Sequence, residues 1–254
     1  MGQPLYLQDP PPVRSDAWAE ADATSFQVRG ATYIKDKRKV DSKKAIFRLL
    51  TVDIVHCQNA AMTGLCSNPN ERIQRALARE KKTGLQELPD FVFAVNLVVP
   101  ATKGIHHCVF YFGCDDISVL KDLNTHSGRL ATQFFFGDSD QFRNKRFKLI
   151  PRIEEGNLLV RKAVGSKPAI LGRKLKQVYI RTDRYFELII NISSDTVASK
   201  IVSLSVGYAK TLVVDMAFLV EADSSEFLPE QLLGGVRLKG LDLKDRDGKR
   251  EIEL

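Results

Sequence analysis

The stretch FVFAVNLVVPATKGIHHCVFYF, residues 91–112, contains two apolar runs separated by a polar segment. The first run, residues 91–99, is rich in β-branched and aromatic side chains, which favour strands, and Pro100 closes it. The second run, residues 109–112, has the same character, and the turn at 102–104 is typical of a hairpin. This stretch therefore predicts two buried antiparallel strands.

Apolar segments on both sides of this hairpin extend the pattern. Alternation and β-branched content predict strands over residues 46–57, 146–153, 157–164, 174–180, 185–192 and 212–220. Helical periodicity predicts helices over 71–82 and 195–210, and in the second of these the apolar stripe consists of Val197, Ile201, Leu204 and Tyr208. Because the strands come in hairpin-like pairs, we predict an α+β fold with a largely antiparallel sheet and a few helices.

The predicted domain occupies residues 26–236. An irregular leader, residues 1–25, precedes it, and a charged tail, residues 237–254, follows it. The leader lacks the features of a secretory signal, and no apolar run reaches the roughly 18–20 residues that a membrane-spanning helix needs. The sequence therefore predicts a cytoplasmic protein whose four cysteines are free thiols.

Positive charge is concentrated in two segments of this 254-residue chain, whose net charge is +7. Residues 142–181 carry twelve Lys/Arg against two Glu, and residues 29–48 carry eight Lys/Arg against two Asp. Concentrated charge of this kind attracts phosphate groups, although a solvated strand or loop face has the same composition. Both interpretations stay open at this point.

Motifs of common enzyme classes are missing from the chain. It has no glycine-rich phosphate loop, no dinucleotide fingerprint and no GxSxG nucleophile elbow, so we predict no enzymatic activity and no cofactor. A zinc site is the sharpest alternative, because the alternation of a strand places His106 and Cys108 on one face. No CxxC pair accompanies them, and buried cysteines with surface histidines explain the same residues, so we predict no metal site.

A basic block, FRNKRFKLIP at residues 142–151, supplies the candidate anion contacts. If Phe147 points inward on a strand, Arg146 and Lys148 share the outward face, and Arg143 joins them from the preceding turn. We therefore predict Arg143, Arg146 and Lys148 as ligand-binding residues on a basic rim. Nucleic acid could use the same charges, but no helix-turn-helix, zinc finger or RNP-like motif is present, so nucleic acid is not a predicted partner.

Aromatic and acidic residues complete the predicted site. Phe134, Phe136 and Phe142 either fill a core or line an apolar cavity, and the sequence does not distinguish the two. Glu187 and Asp215 lie on apolar strands, where an unpaired charge is very costly. They either pair with arginines such as Arg143 or Arg146, or orient a polar group of the ligand.

Several motifs occur in a fixed order along the chain: FQVRG (26–30), YIKDK (33–37), VNLVVP (95–100), FYF (110–112), FRNKRFKLIP (142–151), YFE (185–187), VDM (214–216) and LPE (228–230). Together they resemble the C-terminal domain of the plant Enhanced Disease Resistance 2 family, over residues 26–235. Asn157 and the segment 70–82 depart from the plant pattern. The resemblance implies association with endomembranes and lipid signalling, and it supplies no catalytic residues.

Two functions follow as expectations. The first is binding of a lipid or other hydrophobic small molecule in an apolar cavity, with association to an anionic membrane surface and a peripheral location on endomembranes. The second is a regulatory module with a solid core that binds a protein partner and no ligand. The two differ in whether the purified chain carries a hydrophobic molecule.

Overall fold

The computed structural model describes residues 16–57, 64–101 and 103–241, and the backbone of 249–251. The strands are β1 (Trp18–Glu20), β2 (Gln27–Arg29), β3 (Lys39–Asp41), β4 (Arg48–Cys57), β5 (Phe91–Pro100), β6 (Ile105–Cys114), β7 (Phe147–Glu155), β8 (Ala169–Ile170), β9 (Lys176–Arg181), β10 (Tyr185–Asn191), β11 (Val213–Val220), β12 (Leu232–Lys239) and β13 (Lys249–Glu251). The helices are α1 (Tyr33–Asp36), α2 (Arg72–Thr83), α3 (Ser118–Lys121), α4 (His126–Ala131), α5 (Asp140–Arg146), α6 (Leu158–Val164) and α7 (Thr196–Gly207).

Two sheets form the framework. The six-stranded sheet has the order β13-β4-β6-β5-β10-β9, with parallel pairs at β13/β4 and β5/β10 and antiparallel pairs elsewhere. The five-stranded sheet, β1-β12-β11-β7-β8, is antiparallel throughout. A separate two-stranded ribbon of β2 and β3 packs against the five-stranded sheet through Val28. The predicted α+β fold with largely antiparallel pairing is confirmed.

The main core lies between the facing sheets. Phe110 of β6 and Phe218 of β11 have ring centroids 6.1 Å apart, and Phe147 of β7 stacks on Phe218 at 5.8 Å. The π-helical turn at Thr132–Phe136, which directly follows α4, adds Phe134 and Phe135 to this group of rings. Burial of these large aromatic surfaces contributes to the hydrophobic driving force that joins the sheets.

Several predicted elements are confirmed. The stretch at 91–112 forms the antiparallel pair β5/β6, with Phe91 opposite Cys114 and Pro100 opposite Ile105. Its connecting turn includes residue 102, which lies outside the described residues. Helix α2 ends at Gly84, whose φ of 71° is the left-handed conformation that a helix C-terminus favours. The strands predicted over 174–180 and 185–192 form β9 and β10, which pair antiparallel.

The segment 157–164 is a correction, because it forms helix α6 and not the predicted strand. The side chain of Asn157 accepts a hydrogen bond of 2.8 Å from the Leu159 backbone N–H, which satisfies a donor that the first helical turn leaves free. Val160 and Val164 gave the segment its strand-like composition. The local cap outweighs that composition.

Strand β12 was not predicted, because its Gly234–Gly235 pair has the composition of a loop. A Cβ atom built on Gly234 would lie 2.6 Å from the Phe112 ring, so only glycine allows the two sheets to approach this closely. Strand β12 also extends to Lys239 and pairs with β1. The sheet therefore includes residues on both sides of the predicted limits 26 and 236, whereas residues 1–15, 242–248 and 252–254 of the leader and tail lie outside the described residues.

Candidate functional site

An apolar pocket of about 330 Å³ lies between the two sheets, on the side away from the aromatic rings of the π-helical turn. The six-stranded sheet contributes strands β4, β5 and β6 to its wall, and the five-stranded sheet contributes β7, β11 and β12. Representative lining residues are Ile54, Leu97, Phe110, Val214, Met216 and Leu238. A pocket with these walls favours hydrocarbon over water, because water finds few polar partners there.

Helix α7 covers the pocket. Asp195 caps the helix by accepting a hydrogen bond of 2.8 Å from the Ala198 backbone N–H. No residue of α7 is fully buried, although its inner face lies against apolar strands. The pocket-facing residues of this helix are Ala198, Ile201, Val202, Ser205 and Val206. The helix therefore roofs the space without filling it.

The inner face of α7 differs from the predicted apolar stripe. Of that stripe only Ile201 lines the pocket, and Val197 is 57% exposed. The face of α7 that lines the pocket is displaced from the predicted stripe, because it includes small residues such as Ala198 and Ser205.

Polar groups are few at the pocket. The Ser205 hydroxyl donates to the Ile201 backbone carbonyl at 2.9 Å, so it is already satisfied within the helix. Lys167 is the only ionisable lysine, arginine, aspartate or glutamate among the described lining residues, and it is exposed. An amphipathic molecule with its chain inside could therefore place an anionic end next to Lys167.

The predicted site residues lie elsewhere, and none of the eight lines this pocket. Arg143 lies on α5 and is fully buried, where its guanidinium donates to the Phe134 carbonyl at 2.7 Å, to the Gly137 carbonyl and to Asp140. It stabilises the end of the π-helical turn. Burial lowers the pKa of Arg143 from its usual value, but the group stays cationic in the physiological range.

Arg146 and Lys148 do not share an outward face, because Arg146 ends α5 and Lys148 lies on β7. Arg146 is half-buried, pairs with Asp223 and covers the Phe142 ring at 4.3 Å. Lys148 is buried, and its ammonium group lies 2.6 Å from Glu230 and 3.3 Å from Glu221. The structure thus gives all three predicted basic residues a partner within the protein.

The predicted aromatic and acidic residues also have places within the fold. Phe134 is buried, and Phe136 and Phe142 are half-buried against the same core. Asp215 is buried between two arginines, with Arg237 at 2.6 Å and Arg152 at 2.8 Å, rather than beside Arg143 or Arg146. These arginines contribute to a pKa of Asp215 below the usual value, although burial acts in the opposite direction.

Glu187 belongs to a buried polar network on the other face of the six-stranded sheet. Its carboxylate accepts hydrogen bonds from the Leu65 and Cys66 backbone N–H groups at 3.1 and 3.0 Å, and from the Asn96 amide at 2.8 Å. Asn96 in turn contacts His107 at 3.0 Å. Burial raises the pKa of Glu187, and these hydrogen bonds offset part of that rise.

The same network contains a buried ion pair that the sequence analysis missed. Arg72 forms two hydrogen bonds of 2.6 Å to Asp53, and both side chains are almost fully buried between α2 and β4. The Tyr111 hydroxyl donates to Glu71 at 2.7 Å. An aspartate in the middle of the apolar strand LLTVDIV, residues 49–55, was the available signal, because such a group needs a partner.

Two groups of this network have shifted pKa values of opposite sign. Burial raises the pKa of Glu71 to about 7 and lowers the pKa of His107 to about 4. The stabilising effect of Glu71 is complete below pH 4.5 and is lost as the pH rises through about 7. The effect of His107 is complete above pH 6.5 and is lost as the pH falls through about 4.

A Glu71→Gln variant should separate these effects. The amide oxygen can accept from the Ile73 backbone N–H while the amide NH2 donates to the Tyr111 oxygen, and the group does not ionise. Between about pH 4.5 and 8, its free energy of unfolding should rise relative to the unmodified protein by about 3 kcal/mol. Urea unfolding of both proteins at matched pH values measures this difference. The contribution of His107 to the free energy of unfolding is the same in both proteins and therefore cancels. A difference independent of pH would contradict the assignment.

The histidines and cysteines considered for zinc are distributed over both faces of β4 and β6. His56 and His106 are opposite each other, with ring centroids 5.1 Å apart, whereas Cys57 is buried on the side of the polar network. Within residues 16–57, 64–101 and 103–241, no three or more histidine, cysteine or acidic side chains come together as a metal site. In that same part of the chain no helix has the length and hydropathy to cross a bilayer.

Comparison with known proteins covers almost the whole described fold. The family described as Protein ENHANCED DISEASE RESISTANCE 2, C-terminal, matches residues 18–242, from β1 to just beyond β12. A protein of Arabidopsis thaliana, Protein ENHANCED DISEASE RESISTANCE 2-like, is 36% identical over 231 residues, which is 90% of this chain and 29% of that protein. The chain thus spans less than a third of this relative. No solved structure matches this chain. The chain belongs to the Enhanced Disease Resistance 2 C-terminal family.

Proposed function

We propose that this domain is a non-enzymatic binding module that holds a hydrophobic ligand of the acyl-chain type in the pocket under α7, at the surface of an anionic membrane. The apolar pocket is the observation that carries the proposal. Its volume of about 330 Å³ lies at the lower end of the roughly 300–1,000 Å³ typical of small-molecule sites.

The surroundings of the predicted cations and of the pocket differ, and this difference supports the pocket as the binding site over the predicted basic rim. Arg143 and Lys148 are buried, and Arg146 pairs with Asp223, so these cations already have partners in the protein. The pocket is lined by apolar side chains and roofed by a helix without a fully buried residue. A helix with so little burial opens locally at low free-energy cost, which gives a ligand a route of entry. A cytoplasmic, peripheral location on endomembranes is part of the same proposal.

Native mass spectrometry with lipid extraction tests the proposal on the purified chain. The expected result is a stoichiometric hydrophobic molecule that is released on denaturation. A Ser205→Phe variant should bind it at least roughly 10-fold more weakly, because the added ring takes up space in the pocket that the ligand would otherwise occupy. Ser203→Phe is the matched control, since Ser203 is exposed on the same helix.

Binding can also be followed in solution with Trp18, the single tryptophan of the chain. Trp18 is opposite Leu238 in the β1/β12 pair, and Leu238 lines the pocket. Brominated fatty acid should therefore quench its fluorescence in the unmodified protein and in Ser203→Phe, but not in Ser205→Phe. An apo mass together with equal quenching in both variants would contradict the proposal and favour the module with a solid core.

A further inference from the structure

One exposed segment next to the pocket is basic without a single acidic residue. Residues 157–181 contain seven Lys/Arg and no Asp or Glu. All seven are exposed: Arg161, Lys162, Lys167, Arg173, Lys174, Lys176 and Arg181. We call this segment the basic edge. Its charge produces a positive local field that attracts anionic surfaces.

The basic edge joins the two sheets at one side of the pocket. It leaves β7, forms α6 and β8 at the edge of the five-stranded sheet, and continues into β9 at the edge of the six-stranded sheet. Val164, Lys167 and Leu171 of this segment line the pocket. The positive surface and the apolar pocket are therefore neighbours.

Two large apolar side chains stand out from this surface. Leu158 is 80% exposed and Leu159 is 61% exposed, at the start of α6. Asn157 fixes this helical turn through its hydrogen bond to the Leu159 backbone N–H, so the leucines project from an ordered element. Glu154 and Glu155 precede these leucines in the chain, and Arg161 and Lys162 follow them. Exposed leucines followed by basic residues on one helix are typical of surfaces that enter the head-group region of a bilayer.

We propose that the basic edge docks on a bilayer of anionic phospholipid, with Leu158 and Leu159 inserted among the acyl chains and its lysines and arginines on the lipid phosphates. The pocket then faces the lipid from which its ligand comes. This inference deepens the proposed function, on which both the membrane association and the exchange of ligand rest. Basic clusters near a membrane bind anionic lipid through long-range attraction, and the leucines add hydrophobic contact.

Other exposed apolar residues fit an anionic membrane less well. Val119 and Leu123 are 47% and 61% exposed, but Asp115, Asp116 and Asp122 lie close to them in the chain. The β2/β3 ribbon is basic and presents Ile34 at 45% exposure, but it also carries Asp36 and Asp41 and lines no part of the pocket. The ribbon serves as the comparison surface in the experiment.

Vesicle co-sedimentation tests the docking surface with the full chain. Vesicles of phosphatidylcholine and phosphatidylserine should bind the protein, and vesicles of phosphatidylcholine alone should bind it far less. Leu158→Ser/Leu159→Ser should lower the affinity for the anionic vesicles by about 10-fold or more. Lys162→Glu/Lys174→Glu/Lys176→Glu should lower it by about 100-fold, at roughly fivefold for each basic residue.

Control variants carry matched changes elsewhere. Lys35→Glu/Lys39→Glu/Lys43→Glu reverses three exposed charges around the ribbon, and Leu85→Ser/Leu123→Ser removes two exposed leucines. The leucine control should retain its affinity for anionic vesicles. The ribbon variant, which lowers the net charge, should retain at least about a third of it. Equal losses in the ribbon variant, or unchanged binding after the leucine change, would overturn the proposal. If the Lys162→Glu/Lys174→Glu/Lys176→Glu variant loses binding to a polyanion such as RNA while its binding to anionic vesicles is unchanged, the proposal is also overturned.

The result is distinguishable from a failure of the proposed function. The docking variants leave the interior of the pocket unchanged, so native mass spectrometry still reports its content. Ser205→Phe should lose its ligand and still bind anionic vesicles. Vesicle binding by a chain that carries no ligand would support the docking surface and reject the pocket.

Discussion

Replacing Arg72 with methionine should lower the free energy of unfolding by about 3–5 kcal/mol. The change removes two hydrogen bonds of 2.6 Å and leaves the Asp53 carboxylate buried without its cation. The cost arises mainly from this isolated charge and less from the loss of the contact itself. Urea unfolding followed by Trp18 fluorescence measures it.

Two further variants sharpen this test. Lys82→Met makes a comparable change at an exposed position of the same helix and should alter the free energy of unfolding by less than about 0.5 kcal/mol. Arg72→Met/Asp53→Leu should recover part of the loss, because no unpaired charge stays in the interior. Equal stability of Arg72→Met and Lys82→Met would show that the ion pair does not hold α2 on the sheet.

Replacing Lys148 with methionine should cost about 3 kcal/mol, at the lower end of the range for a broken buried pair, because Glu230 loses its nearest cation but keeps Arg29 at 3.8 Å. Glu230 accepts hydrogen bonds from the Arg29 and Ala222 backbone N–H groups at 3.0 Å each, so it connects β2, β7 and the segment before β12. Lys145→Met, three positions earlier and exposed, is the control with an expected change below about 0.5 kcal/mol.

The same variant decides between the structural and the ligand-binding role of Lys148. Folded Lys148→Met, prepared at a temperature below its unfolding transition, should bind anionic vesicles as the unmodified chain does, because the ammonium group is buried. A stable variant that loses vesicle binding would instead place Lys148 on the lipid-binding surface. Chemical denaturation and vesicle binding measured on one sample separate the two results.

Local patterns predicted those parts of the fold that depend on neighbours in the chain. The β5/β6 hairpin, the β9/β10 hairpin and the end of α2 at Gly84 follow from apolar runs and turn residues. Helix α6 and strand β12 were missed, because a side-chain cap at Asn157 and a close contact between Gly234 and Phe112 decide them. The second of these contacts joins residues far apart in sequence, which periodicity does not report.

The candidate site was harder to predict than the fold. Charge in the block at 142–151 was visible, but its partners Asp223 and Glu230 lie about 80 residues away. The sequence therefore identified real cations without showing that the protein itself neutralises them. The pocket depends on how far two sheets stand apart, and no local pattern encodes that distance. The charge count over 142–181 included the basic edge, but the predicted ligand-binding cations were Arg143, Arg146 and Lys148, which precede it in the chain.

The central strands β4, β5 and β6 have a different neighbour on each face. Ile54, Leu97 and Cys108 face the pocket, whereas Asp53, Asn96 and His107, each one position away, belong to the polar network. Pocket positions need only apolar side chains of suitable volume, while network positions need one particular partner. Relatives can therefore diverge in the shape of the pocket, by changes at every second residue, while the hydrogen-bonded face of the same strands keeps the architecture constant.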